Sequence, residues 1–418
     1  MKFRALILSF ILVFVPLTVF ASGEGTAADV DCEDIVWMGR WEKEGGLMHG
    51  SFECGLVLRF TGTGISLNGA ASGKALVAVD GGDVQYATLS NGAVLFSGLP
   101  EGEHTLELYS AAQQCFPTVG GFTLDPGART LPSPDGKIVE FIGDSITEGY
   151  VDPNDAPPYD ANSYRYSYAF LTGRKLMKEY GVRFSTIAIG GIRIVERGDN
   201  DTGDDPLGMP ERYFLNREYK DRITLEEERK ATHKWDTTVY TPDVIVINLG
   251  TNDWLNANKV VTADMLAFLQ NLRETYENTV ILVMTPFNGA KSNPIQKAVD
   301  AMNDEKVVLV NTKTWKIKGG SDGLHPNPAS HADAAELLYE TIKPYIEAQN
   351  EPDTTEAQQT EPPTEAPTEA PTEAPAETKE TEKTPENSKQ PIWPYIVGGV
   401  LLIAAAAGIA LFVTRKKK

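Results

Sequence analysis

From residue 137 onward, five apolar and mostly β-branched runs recur between longer stretches of helical spacing: IVEFIG, FSTIAIG, DVIVINLG, TVILVMTP and KVVLVNT. This alternation restricts the fold more than any other feature of the chain. Strands that are apolar at nearly every position are buried on both faces, and strands separated by helices are parallel. Residues 137–347 are therefore expected to form a three-layer α/β/α domain with a parallel sheet. Helical patterns at 163–180, 262–277 and 328–348 supply its outer layers. In the second of these, Met265, Leu269, Leu272 and Tyr276 repeat at helical spacing behind Thr262, read as the cap.

The stretch before it has a different rhythm. Between 30 and 131, short alternating runs such as IVWMGRW, LVLRFTG, ALVAVDGG and HTLELYS are punctuated by Gly-rich turns every eight to twelve residues. That spacing predicts an antiparallel β-sandwich, jelly-roll-like, ahead of the α/β domain.

The two ends carry addressing signals. Residues 1–21 hold Lys2 and Arg4, an uncharged apolar run, and Val19 and Ala21 at the small positions of a cleavage site, so a signal peptide is expected. Residues 392–414 carry no charge and are long enough to cross a bilayer core of about 30 Å. The basic tail 415–418 follows, which places the tail in the cytoplasm and the bulk of the protein outside. Between them, 351–391 repeats T-E-A-P units with almost no apolar bulk, the composition of an acidic disordered stalk. The expected location is thus the cell membrane, single-pass, with an extracellular ectodomain.

Composition narrows the partners. A net charge of −20 repels nucleic acid and anionic lipid. Three cysteines, Cys32, Cys54 and Cys115, allow one disulfide with any of three pairings. The histidines at 49, 104, 233, 325 and 331 form no metal-binding spacing, and the acidic loop 198–205 lacks a full calcium ligand series, so neither metal nor cofactor is expected.

Three strand ends carry unusual residues. The first run ends in Gly143, Asp144 and Ser145, the second in Gly190 and Gly191, the third in Gly250, Thr251, Asn252 and Asp253. The carboxyl ends of parallel strands share one edge, so these loops are spatial neighbours. After the last run, Asp322 and His325 stand three residues apart, close enough for the carboxylate to accept a hydrogen bond from one ring nitrogen while the other faces outward. Acyl transfer needs a nucleophile, a base, an orienting acid and oxyanion donors. Ser145, His325 and Asp322 fill the first three roles. The backbone N–H groups of Ser145 and of a second-strand glycine, with the Asn252 amide, fill the fourth.

GDSITEG, the second-strand glycine, GTND and DGLHPN together resemble the blocks of the SGNH, or GDSL-like, hydrolase superfamily. VWMGRW, LVLRFTGTGISL, VDGG, EGEHTLELY, MPERY and WDTTVYTPDVIVINLGTND extend the resemblance to carbohydrate esterase family two. That resemblance implies a β-sandwich joined to an SGNH domain and removal of acetyl groups from polysaccharides such as xylan and glucomannan. It makes Ser145 the nucleophile, His325 the base, Asp322 the orienter, and Ser145, Gly191 and Asn252 the oxyanion donors. Gly190 stands where the family often has serine, which leaves Gly190 as the alternative donor. Trp254 is read either as a sugar-stacking surface or as core. Other esters, such as peptidoglycan acetyl groups or short-chain lipids, are the alternative substrates, and an inert glycan-binding surface protein is the alternative of another class.

Overall fold

The computed structural model describes residues 25–112, 115–156, 163–198, 205–216 and 234–348. The expected signal peptide, stalk, membrane span and basic tail lie outside the described residues. Among the described residues, no helix is long and apolar enough to cross a membrane.

The chain begins with β1 (Thr26–Asp29), β2 (Ile35–Glu44), β3 (Leu47–Gly62), β4 (Ile65–Leu67), β5 (Lys74–Val79), β6 (Gln85–Thr88), β7 (Val94–Phe96), β8 (Gly102–Ser110), β9 (Thr118–Val119), β10 (Gly121–Leu124) and β11 (Thr130–Leu131). There follow β12 (Ile138–Gly143), α1 (Ser145–Glu148), α2 (Tyr168–Tyr180), β13 (Arg183–Ala188), α3 (Met209–Arg212), β14 (Val244–Asn248), α4 (Asn258–Thr275), β15 (Val280–Met284), α5 (Ser292–Met302), β16 (Val307–Val310) and α6 (Pro328–Ala348).

The last five strands are parallel in the order β13-β12-β14-β15-β16. Alternate side chains go to opposite faces. Phe141, Val246 and Leu282 pack with Phe170 and Leu176 of α2 and with Leu338 and Ile342 of α6. Ile142, Ile247 and Val283 pack with Phe268 and Leu272 of α4 and with Ile295 of α5. This is the expected three-layer arrangement. Helix α4 begins earlier than expected, with Ala257 at its N-cap, so Thr262 is not a cap. Its hydroxyl instead donates to the Pro294 carbonyl (3.1 Å) and ties α4 to α5.

The sheet itself corrects the expectation of a purely parallel one. β13 pairs antiparallel with β3 through Thr186 and Glu53, and β3 continues into β8, β5 and β6, so one mixed sheet runs through both halves. The physical reason is edge protection: β13 would otherwise end the sheet as an open edge, and β3 meets it at this register position. In the N-terminal half, β1-β10-β4-β7 form a second sheet. Leu67 and Phe122 of that sheet share a core with Leu56, Leu58, Leu106 and Val77. Leu76, one residue from Val77, points the other way, toward α2.

Candidate active site

In the parallel sheet Gly143 lies beside Ala188 on one side and Asn248 on the other, which aligns the carboxyl ends of β12, β13 and β14. Strand order reverses between β12 and β14, and open α/β sheets bind ligands at such a switch point. The loops after these strands hold Ser145, Gly190, Gly191 and Asn252, all partly open to solvent.

Gly143 is not there to bend the backbone, since its φ is not positive. A Cβ on it would lie 1.9 Å from Thr147 Oγ1, so what the strand end requires is the missing side chain. Asp144 is fully buried and caps α1, its Oδ1 accepting the Ile146 N–H (3.0 Å). Burial pushes its carboxyl up to about 6. Ser145 is thereby fixed at the first position of the helix.

His325 reaches this edge from the loop before α6. Its Nε2 is 2.8 Å from Ser145 Oγ, and its Nδ1 is 2.6 Å from Asp322 Oδ2. Asp322 Oδ1 also accepts the N–H groups of Leu324 (2.8 Å) and His325 (2.9 Å). Partial burial works against its ionisation, but these hydrogen bonds outweigh it and hold the carboxyl below its usual range. Tyr150 meets the imidazole edge-on, with ring centroids 4.5 Å apart. The turn is anchored where α6 starts: Asn327 Oδ1 accepts the Ser330 N–H (2.9 Å).

On the opposite side, Ile192 donates its N–H to the Ile189 carbonyl (3.2 Å), closing a turn in which Gly191 has φ +77°. That turn engages the N–H of Ile192 and not that of Gly191. Asn252 Nδ2 donates one hydrogen to the Ile192 carbonyl (2.9 Å), and a primary amide carries a second. A hydroxyl hydrogen-bonded to an imidazole oriented by a carboxylate, with N–H donors alongside, is the equipment for acyl transfer.

Two contributors were missed by the sequence reading. Asp253, fully buried, accepts the N–H groups of Ile194 (2.9 Å) and Val195 (3.1 Å), clamping the loop after β13 to the loop after β14. It stood inside the quoted GTND, where only the need of a buried carboxylate for donor partners would have signalled it. Asp155 accepts the Ser321 N–H (2.5 Å) and hydroxyl (2.8 Å), bracing the histidine loop across 166 residues; no sequence signal points to that pairing. Trp254 is exposed, which removes the core reading. Of the acidic loop 198–205, residues 199–204 lie outside the described residues, and the Asp205 carboxylate is paired with Arg212 (2.9 Å). Among the described residues, no cluster is suited to hold a metal ion, and the three cysteines are free thiols.

Residues 141–332 match the model of the GDSL-like Lipase/Acylhydrolase family, a span that contains every site residue named above. Residues 141–332 are in this sense similar to GDSL-like lipases and acylhydrolases. The chain is 30% identical over 271 residues to the cellulase/esterase CelE of Acetivibrio thermocellus, covering 60% of this chain and 31% of that relative. It is 27% identical over 246 residues to the acetylxylan esterase / glucomannan deacetylase of Cellvibrio japonicus, covering 54% of this chain and 60% of the relative. The chain thus spans less than two thirds of either. Among solved structures, a family two carbohydrate esterase from Clostridium thermocellum in complex with cellohexaose superposes with a TM-score of 0.56 at 26% identity, covering 75% of this chain and 99% of that one. A family two carbohydrate esterase from Cellvibrio japonicus gives a TM-score of 0.62 at 18% identity, over 77% of this chain and 98% of that one, a likeness of fold.

Proposed function

We propose that this chain is a serine esterase that removes O-acetyl groups from neutral polysaccharides of the xylan and glucomannan type. The observation that carries the reading is the unbroken chain from Ser145 Oγ through His325 to Asp322 at the sheet's switch point. Ser145 Oγ attacks the ester carbonyl carbon while its proton passes to His325 Nε2. Asp322, ionised, holds Nδ1–H and stabilises the imidazolium. Negative charge on the carbonyl oxygen is met by the N–H groups of Ser145 and Gly191 and by the second hydrogen of the Asn252 amide. The sugar hydroxyl leaves with the proton from His325. A water molecule then repeats the sequence on the acetyl-enzyme and releases acetate. No cofactor enters these steps. The relatives' names, acetylxylan esterase and glucomannan deacetylase among them, support the substrate class.

We further infer that the two N-terminal sheets form a jelly-roll-like β-sandwich that precedes the hydrolase domain, supported by their shared core. An exported, membrane-anchored protein is inferred from the apolar residues 1–21 and 392–414 and the basic tail 415–418. Protease treatment of intact cells that releases the hydrolase domain tests this topology. The activity is tested by acetate release from acetylated xylan, glucomannan and peptidoglycan, with Ser145→Ala as control. Release from the first two, abolished in the variant, is the expected result. Release from peptidoglycan alone contradicts the substrate assignment, and no release from any ester contradicts the activity.

A further inference from the structure

Trp254 and Leu255 are 69% and 67% exposed, the two most exposed large apolar side chains among the described residues. They are adjacent in sequence, on the turn that carries Asn252. Single exposed apolar residues are ordinary, but paired ones beside a site call for an account. This turn is braced from both sides. Asp253, between Asn252 and Trp254, accepts from Ile194, Val195 and Asn256 Nδ2 (2.8 Å). On the far side, Lys291 Nζ donates to the Asn256 carbonyl (2.6 Å) and to Asn258 Oδ1 (3.1 Å). Lys291 itself stands at φ +53°, a conformation that residues other than glycine seldom take. The indole is thus carried on a backbone that loses little freedom when something docks on it.

Resting on the esterase reading of the site, we propose that Trp254, with Leu255 beside it, is a docking platform for a pyranose ring of the substrate's main chain, one or two sugar units from the acetylated residue. One residue separates Trp254 from Asn252, so their Cα atoms are at most about 7 Å apart. A polymer whose acetyl carbonyl sits at Asn252 therefore has this turn within reach of its neighbouring sugar units. A flat aromatic face suits the C–H face of a pyranose, and the acidic chain favours an uncharged occupant over an anionic one. The platform distinguishes polymer from small ester.

Two measurements on the full chain test this. In a Ser145→Ala background, which removes turnover, binding of xylohexaose is measured by calorimetry with and without Trp254→Ala and Trp254→Phe. The expected result is a Kd at least about tenfold higher for Trp254→Ala, partly restored by Trp254→Phe. Equal Kd values in all three, or no binding by the parent protein, overturns the proposal. In the active enzyme, the ratio of kcat/KM on acetylated xylan oligosaccharides to that on 4-nitrophenyl acetate falls about tenfold for Trp254→Ala. Equal losses on both substrates, or a selective loss on 4-nitrophenyl hexanoate that marks an acyl-chain occupant, also overturn it. Failure of the parent enzyme to cleave any ester sinks the esterase reading instead, and the binding result stands apart from it.

Discussion

Asp322 illustrates how much one side chain is asked to do: it accepts from His325 Nδ1 and from two backbone N–H groups at once. Replacing it with asparagine keeps the shape but offers the ring an amide, which permits the wrong tautomer. Asp322→Asn is expected to lower kcat by about 10²–10⁴ with little change in KM, as steady-state kinetics on an acetyl ester will show. Asp144 makes a second, opposite-signed case. Its folded carboxyl titrates near 6, above the ordinary value of 3.8, so the native state holds the proton more tightly than the unfolded chain does. Its contribution to stability is therefore present at low pH and lost as pH rises from about 4 through about 6. Asp144→Asn keeps the cap to Ile146 and removes the titration. Urea unfolding at pH 4 and pH 7 is expected to show the variant gaining on the wild type by up to roughly 3 kcal/mol at the higher pH; a pH-independent difference would contradict the argument. Ser145, Asn252, Asp322 and His325 were readable from sequence because each is a chemically distinctive residue at a strand end or in a short i,i+3 pair. The choice between Gly190 and Gly191 was not, because it depends on where the turn after β13 aims each N–H, and the turn's own hydrogen bond is made by Ile192.

At the level of elements, the end of β12 is where a small change does the most. Gly143→Ala would push a methyl group into Thr147 and toward the Asn248 carbonyl, 3.0 Å away, between two strands that cannot separate. The expected cost is roughly 1–3 kcal/mol by chemical denaturation, together with a fall in kcat as Ser145 shifts against His325. A fully active, equally stable variant would show that the strand end has room. The five parallel strands and their helices followed from periodicity, which is local. The antiparallel pairing of β3 with β13 did not, since it joins Glu53 to Thr186 across a stretch with no short-range signal. Asp253 and Asp155 escaped for the same reason: their partners are remote in sequence, and only the folded edge brings them close.

The whole molecule is tied across its two halves by a buried charge that composition alone would never place. Arg40, fully buried on β2, lies 4.9 Å from the centre of the Tyr213 ring and 5.2 Å from those of Phe52 and Trp235, and donates to the Leu215 carbonyl (2.9 Å). Nearby, the buried Glu140 carboxylate accepts from the hydroxyls of Tyr213 (2.6 Å) and Tyr240 (2.5 Å). Removing the cation takes the donor from the Leu215 carbonyl and the charge from the centre of the three rings. Arg40→Met is expected to cost roughly 3 kcal/mol in urea unfolding, and a loss below about 1 kcal/mol would mean that the methionine replaces the guanidinium by packing alone. The account as a whole depends on acyl transfer to one hydroxyl. Rapid-quench mass spectrometry during turnover of 4-nitrophenyl acetate tests it most directly. One acetyl group is predicted on the peptide containing Ser145, absent in Ser145→Ala; acetate released at an undiminished rate by that variant, or an acetyl group carried on another side chain, would contradict it.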